Sequence, residues 1–238
     1  DWTDDETLWR SAVASAPASA KAHRALAEAL YDKDPSRANL DEVMASADVA
    51  VALLEPLADT QNTFQAFRQA GAYCLDKATQ LSAGAAGDAP AETRRLYSRA
   101  LNLLDRAVVI ARHAAERQPG ASVEPEADAQ RLRAAAILGL DNPSLALNAA
   151  KRSRSLAPLH PLGYRLSASA LLAMHRDEEA VIVAFHEELR RVLASLEGWS
   201  ASALYVVDGG TDRTLALLRG VAAADRSVVE KAVQAVAA

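Results

Sequence analysis

The side chains best suited to chemistry are few and scattered. His175, Glu179 and His186 would share one face of a single continuous helix, and imidazoles with a carboxylate are ordinary zinc ligands. The pattern instead predicts one helix ending near Met174 and another beginning near Asp177, which sets the first histidine apart. HEEL at 186–189 also lacks the second histidine of an HExxH metal site. Serine, histidine and aspartate occur without a GxSxG elbow, whose nucleophile needs a strand-to-helix turn. Cys74 is the single cysteine; it can form no internal disulfide and falls at a helix-packing position, so it reads as an inert buried thiol. Asp208-Gly209-Gly210 has neither the GxxxxGK[ST] frame nor a preceding strand and reads as a turn. Asp177-Glu178-Glu179 reads as first-turn charge at a helix N-terminus. The expectation is a chain with no catalytic residue, no metal site and no cofactor.

The elements that would have to position any site are helices. The 238 residues are 50% apolar and 24% charged, with net charge −5. Aromatic residues make up only 5%, glycines number 10 and alanines 55, a composition that favours helix over a β-sandwich. An acidic balance disfavours a general nucleic-acid binder, which would show a basic excess. The longest apolar runs, Ala134 to Leu140 and Val181 to Phe185, fall far short of the ~20 residues that span a bilayer. The chain opens at Asp1 without a basic segment and apolar core behind it, so it reads as a processed or excised piece.

The helices recur in register. Trp9, Ala12 and Pro17 are followed by His23, Leu26, Ala27 and Leu30. Phe67, Ala70, Gly71 and Cys74 are followed, past an insertion SAGAAGDAP at 82–90, by Ala107, Ala111, Ala114 and Pro119. Ala134, the turn Asp141-Asn142-Pro143, and then Ala146, Ala150, Ser153 and Pro158 make a third set. Tyr164, Ser167, Ala168 and Leu171 with Ala180 and Ala184 make a fourth. The pattern resembles the tetratricopeptide repeat, a 34-residue helical hairpin with small residues where helices cross and a proline closing helix B. The stretch from Asp41 to Pro56 fits helix B only in its closing proline. The resemblance implies an all-α, tetratricopeptide-type right-handed superhelix; the alternative is a non-repetitive alanine-rich bundle.

In that family helix A lines the concave groove, and the resemblance puts Arg24, Arg68, Arg131 and Arg165 at the same inward position of four units, with Lys21 one turn before Arg24. A row of planar guanidiniums suits carboxylate or phosphate, so the partner implied is a protein or peptide, acidic or ending in a carboxylate. The competing expectation is that these arginines pair with neighbouring carboxylates or lie solvated. The clamp that binds chaperone C-termini needs an asparagine where this chain has Glu28, Ala72, Ala135 and Ser169, so that partner is not expected.

The segment DETLWRSAVASAPASAKAHRALA resembles, through Thr7, Leu8, Trp9, Arg10, Pro17, Ala22, His23 and Leu26, the start of the soluble repeat region of bacterial polytopic membrane proteins related to protein O-mannosyltransferases. This implies an extracytoplasmic, periplasmic tail tethered to a larger membrane protein, with any glycosyl transfer belonging elsewhere; the alternative compartment is cytoplasmic. The organisation read from composition is 1–117 repeat units, 118–126 a polar loop, 127–196 further units and 197–238 an atypical cap, with Trp199 and Tyr205 beneath helices near 214–223 and 226–237. Asp1 to Pro17 reads as a lone helix B capped by Thr3 or Asp4. The function expected is a non-catalytic interaction scaffold; the alternatives are a structural subunit held by helix faces or an accessory domain of a glycosyltransferase.

Overall fold

A computed structural model describes residues 4–83, 89–118 and 120–176, together with 180, 183 and 184. Among these residues the chain is all-helical: α1 Asp5–Ser15, α2 Ala20–Lys33, α3 Leu40–Leu54, a 3-10 turn Asp59–Gln61, α4 Phe64–Ala83, α5 Ala89–Arg117, α6 Glu124–Gly139, α7 Pro143–Leu156 and α8 Pro161–Ala173. None of these helices is long and apolar enough to cross a membrane. Glu179, His186, Asp208-Gly209-Gly210, the centre of the 82–90 insertion and the whole 197–238 segment with Trp199 and Tyr205 lie outside the described residues.

Local chemistry sets the helix ends. Asp4 caps α1 by accepting from the Thr7 amide at 2.8 Å, and Ser19 caps α2 by accepting from the Ala22 amide. Asp34 accepts from the amides of Ser36, Ala38 and Asn39, and Asn39 Nδ2 donates to the Leu30 carbonyl, so α2 stops and α3 is turned back against it. Asn62 does the same for α3, donating to the Leu54 carbonyl at 2.9 Å. Asp141 takes a positive φ of 60°, Asn142 caps α7 and Pro143 begins it, matching the turn read from the sequence.

The chain divides into two compact units, Asp1–Leu140 and Asp141–Ala238. In the first, neighbouring helices pack in sequence from α1 to α6, and α4 also packs on α6. Arg24 and Tyr31 of α2 reach Gln69 and Asp76 of α4, while Arg99 of α5 reaches Asp48 of α3. Thus α2, α4 and α6 form one layer and α1, α3 and α5 the other. The polar loop after Arg117 ends at Val123, and α6 packs back on α4 and α5, so the compact division falls later, after Leu140.

Small residues let the layers close. Gly71 is buried where a Cβ would stand 2.7 Å from Leu104 Cγ, and Gly139 faces the Tyr97 ring, where a Cβ would meet carbon at 2.4 Å. The core runs through Leu26, Leu30, Val43 and Tyr73, then Phe67, Ala107 and Ile110, then Cys74, Ala100 and Leu104. Along the 29-residue α5, Ala107 and Ala111 are buried against that core, but Ala114 is exposed on the last turns, where the helix outruns it. Ala184 is likewise exposed. In the second unit α7 packs on α8 through Ala146, Ala150, Tyr164, Ser167, Ala168 and Leu171.

Candidate binding face

The face made by α2, α4 and α6 carries three of the four expected arginines. Arg24, on the second turn of α2, is ion-paired with Glu28 one turn later at 3.0 Å and donates to Gln69 Oε1 at 3.2 Å. Arg68, on α4, donates through Nε to Asp128 Oδ2 at 2.6 Å. Arg131, on α6, donates through one Nη to Glu124 at 2.5 Å and to Asp128 Oδ1 at 3.1 Å. Arg165 is exposed on α8 of the second unit and has no ion-pair partner among the described residues.

These environments revise the uniform row of inward cations. Arg131 is 2% exposed, so its guanidinium is enclosed between helices and is not presented at a surface. Its position allows this because Glu124 and Asp128 precede it by two turns and one turn on the same helix, bringing carboxylates to the buried end. Arg68 and Asp128 are 35% and 27% exposed, a half-open pair between α4 and α6. Elsewhere in the first unit arginines again tie helices together: Arg106 donates to Asp59 and lies over the Phe67 ring, Arg112 pairs with Glu126 and Arg133 with Asp105. Sequence position alone does not separate an arginine that staples from one that is offered to a ligand.

What remains open is the end of the face where α2 enters. Lys21, Arg24, Leu54, Thr63, Gln65 and Ala66 line a half-open cavity of about 350 Å³. Lys21 is exposed and has no ion-pair partner among the described residues. Thr63 immediately precedes α4, and Gln65 and Ala66 lie in its first turn, whose amides carry the positive end of the helix dipole. Thr63 donates its hydroxyl to Gln65 Oε1 and Arg24 is paired with Glu28, so the exposed Lys21, the remaining Arg24 N–H groups and the Gln65 amide suit an anionic group with an apolar portion against Leu54 and Ala66. Lys21 and Arg24 follow from their place in the sequence pattern, whereas Thr63, Gln65, Gln69 and Asp128 do not. Only Asp128 had a local signal, its place three residues before Arg131.

Among the described residues the groups suited to chemistry do not converge. His175 lies just past α8 at φ 56°, and the described residues contain no cluster of His, Cys, Asp or Glu able to hold a metal. Cys74 is buried, and burial pushes its thiol up to about 11, leaving it protonated at neutral pH. In the second unit Arg154 is 5% exposed, lies 4.5 Å over the Tyr164 ring and donates to Ser167 Oγ at 3.3 Å. Burial holds its guanidinium below the usual arginine range. No family model matches this sequence, and no curated protein matches it.

Proposed function

We propose that the chain is a non-catalytic interaction scaffold, a tetratricopeptide-type right-handed superhelix, that docks an acidic protein or peptide segment at the α2 end of its α2–α4–α6 face. The observation that carries this reading is the cavity bordered by Lys21 and Arg24, where the lysine has no carboxylate partner among the described residues. Alanine and glycine at successive helix crossings support the repeat assignment, since hairpins that nest through small residues build an extended surface. The net charge of −5 speaks against a general nucleic-acid binder, which would show a basic excess, and the acidic segment is read from the local Lys21–Arg24 patch alone. The resemblance of residues 5–27 supports a place in the periplasm as the soluble repeat region of a larger membrane protein.

The test is fluorescence anisotropy with a fluorescein-labelled octaglutamate peptide bearing a free C-terminus. The double variant K21A/R24A is expected to bind about tenfold more weakly, the loss of two charge-assisted contacts, and added salt is expected to weaken the wild type. Equal affinity of the two proteins overturns the assignment of the docking site.

A further inference from the structure

At the α4–α6 junction one carboxylate serves two guanidiniums from two helices. Asp128 gives Oδ2 to Arg68 Nε and Oδ1 to an Arg131 Nη, while Glu124 takes a second bond from that same Arg131 nitrogen. The buried guanidinium is nevertheless short of acceptors, for its Nε and other Nη are enclosed without a hydrogen-bond partner. A guanidinium has five N–H donors, and each one buried and unmet is a cost that an added oxygen would remove. Those two nitrogens are enclosed, so the donors an anion can reach at this junction are those of Arg68. Asp128 and Arg68 also keep about a third of their side-chain surface in water, 27% and 35%, so an incoming anion can reach the pair.

We propose that Asp128 is the resident occupant of an oxyanion site at Arg68, a built-in competitor that an anionic group of a ligand must displace to engage that guanidinium. The exchange leaves the number of ion pairs unchanged. Arg68 thus adds little affinity for a weakly acidic segment and discriminates in favour of a group with more oxygens or charge than one aspartate. The ligand chemistry is an oxyanion, supplied by a carboxylate-rich peptide or by a small inorganic dianion. Only the peptide source rests on the docking role proposed above.

The test compares wild type, D128N and D128N/R68Q. D128S is carried in parallel because an asparagine amide oxygen could still accept from Arg68. One arm measures thermal upshift by sulfate against chloride at matched ionic strength, and the other measures octaglutamate affinity. Releasing Arg68 is expected to give a sulfate upshift larger than that of wild type, or an affinity for the peptide at least about fivefold higher, with the gain lost in D128N/R68Q. Gain in the sulfate arm identifies the small dianion as a sufficient ligand, and gain in the peptide arm identifies the carboxylate source. No gain in either arm with both Asn and Ser, or a gain that persists without Arg68, overturns the proposal. The docking reading is judged separately, by K21A/R24A with Asp128 intact: loss there without gain in D128N removes only the competitor, and the reverse removes only the docking site.

Discussion

The two junctions along the α2–α4–α6 face are built from the same residue types and end in opposite states. At α2–α4, Arg24 finds Glu28 and Gln69, but Lys21 beside it has no carboxylate partner among the described residues, and a cavity stands open at the start of α4. At α4–α6, Arg68 and Arg131 converge on Asp128, and one of the two guanidiniums is enclosed. The difference arises from what precedes each cation on its own helix. Two carboxylates stand seven and three residues before Arg131, whereas Ala20 and Ser19 precede Lys21. Where charge is neutralised within the helix layer it ties helices together, and where it is not it stands exposed beside the cavity.

The sharpest way to break this contrast is to remove the enclosed cation. Arg131→Met would leave Asp128 and Glu124 without their buried partner and is expected to destabilise the first unit by about 3 kcal/mol, read by chemical denaturation. In the second unit Arg154 is equally enclosed but held by a ring and a hydroxyl, so Arg154→Met strands no carboxylate and is expected to change stability by less than about 1 kcal/mol. Similar losses in both would show that burial, not the carboxylates, makes Arg131 structural. Gly71→Ala falls between them: the new methyl must push Leu104 aside, costing about 1–3 kcal/mol, and the melting temperature is expected to drop with peptide affinity retained. Arg68→Ala removes a half-exposed pair and is expected to cost at most about 1 kcal/mol. Lys21→Ala is the smallest change in stability, within about 0.5 kcal/mol, since the side chain is exposed and has no ion-pair partner among the described residues.

Much of the helical framework was legible because its signals are local. Asp4 as the cap of α1, the Asp141-Asn142-Pro143 turn and the end of α8 at Met174 each follow from a few adjacent residues. His23, Leu26, Ala27 and Leu30 of α2, and Phe67, Ala70, Gly71 and Cys74 of α4, are all buried as their spacing required. The site was legible only in part. Arg24, Arg68 and Arg131 occupy one face, but their exposure depends on carboxylates and helix lengths that periodicity does not encode. Asp128 meets Arg68 across sixty residues of sequence, and the cavity beside Lys21 exists because the ends of three helices, α2, α3 and α4, come together there. The inert thiol follows from packing: Cys74 sits among Leu75, Ala100 and Leu104, and that burial keeps the proton on sulfur.

The most direct test is an NMR titration of the isotopically labelled protein with unlabelled octaglutamate. The account predicts progressive amide shifts centred on Lys21, Arg24, Thr63, Gln65 and Ala66, weakened by salt and absent in K21A/R24A, with the α4–α6 junction responding only when Asp128 is replaced. Shifts centred on α7 and α8, or none at the start of α2 and α4 at saturating peptide, would contradict it.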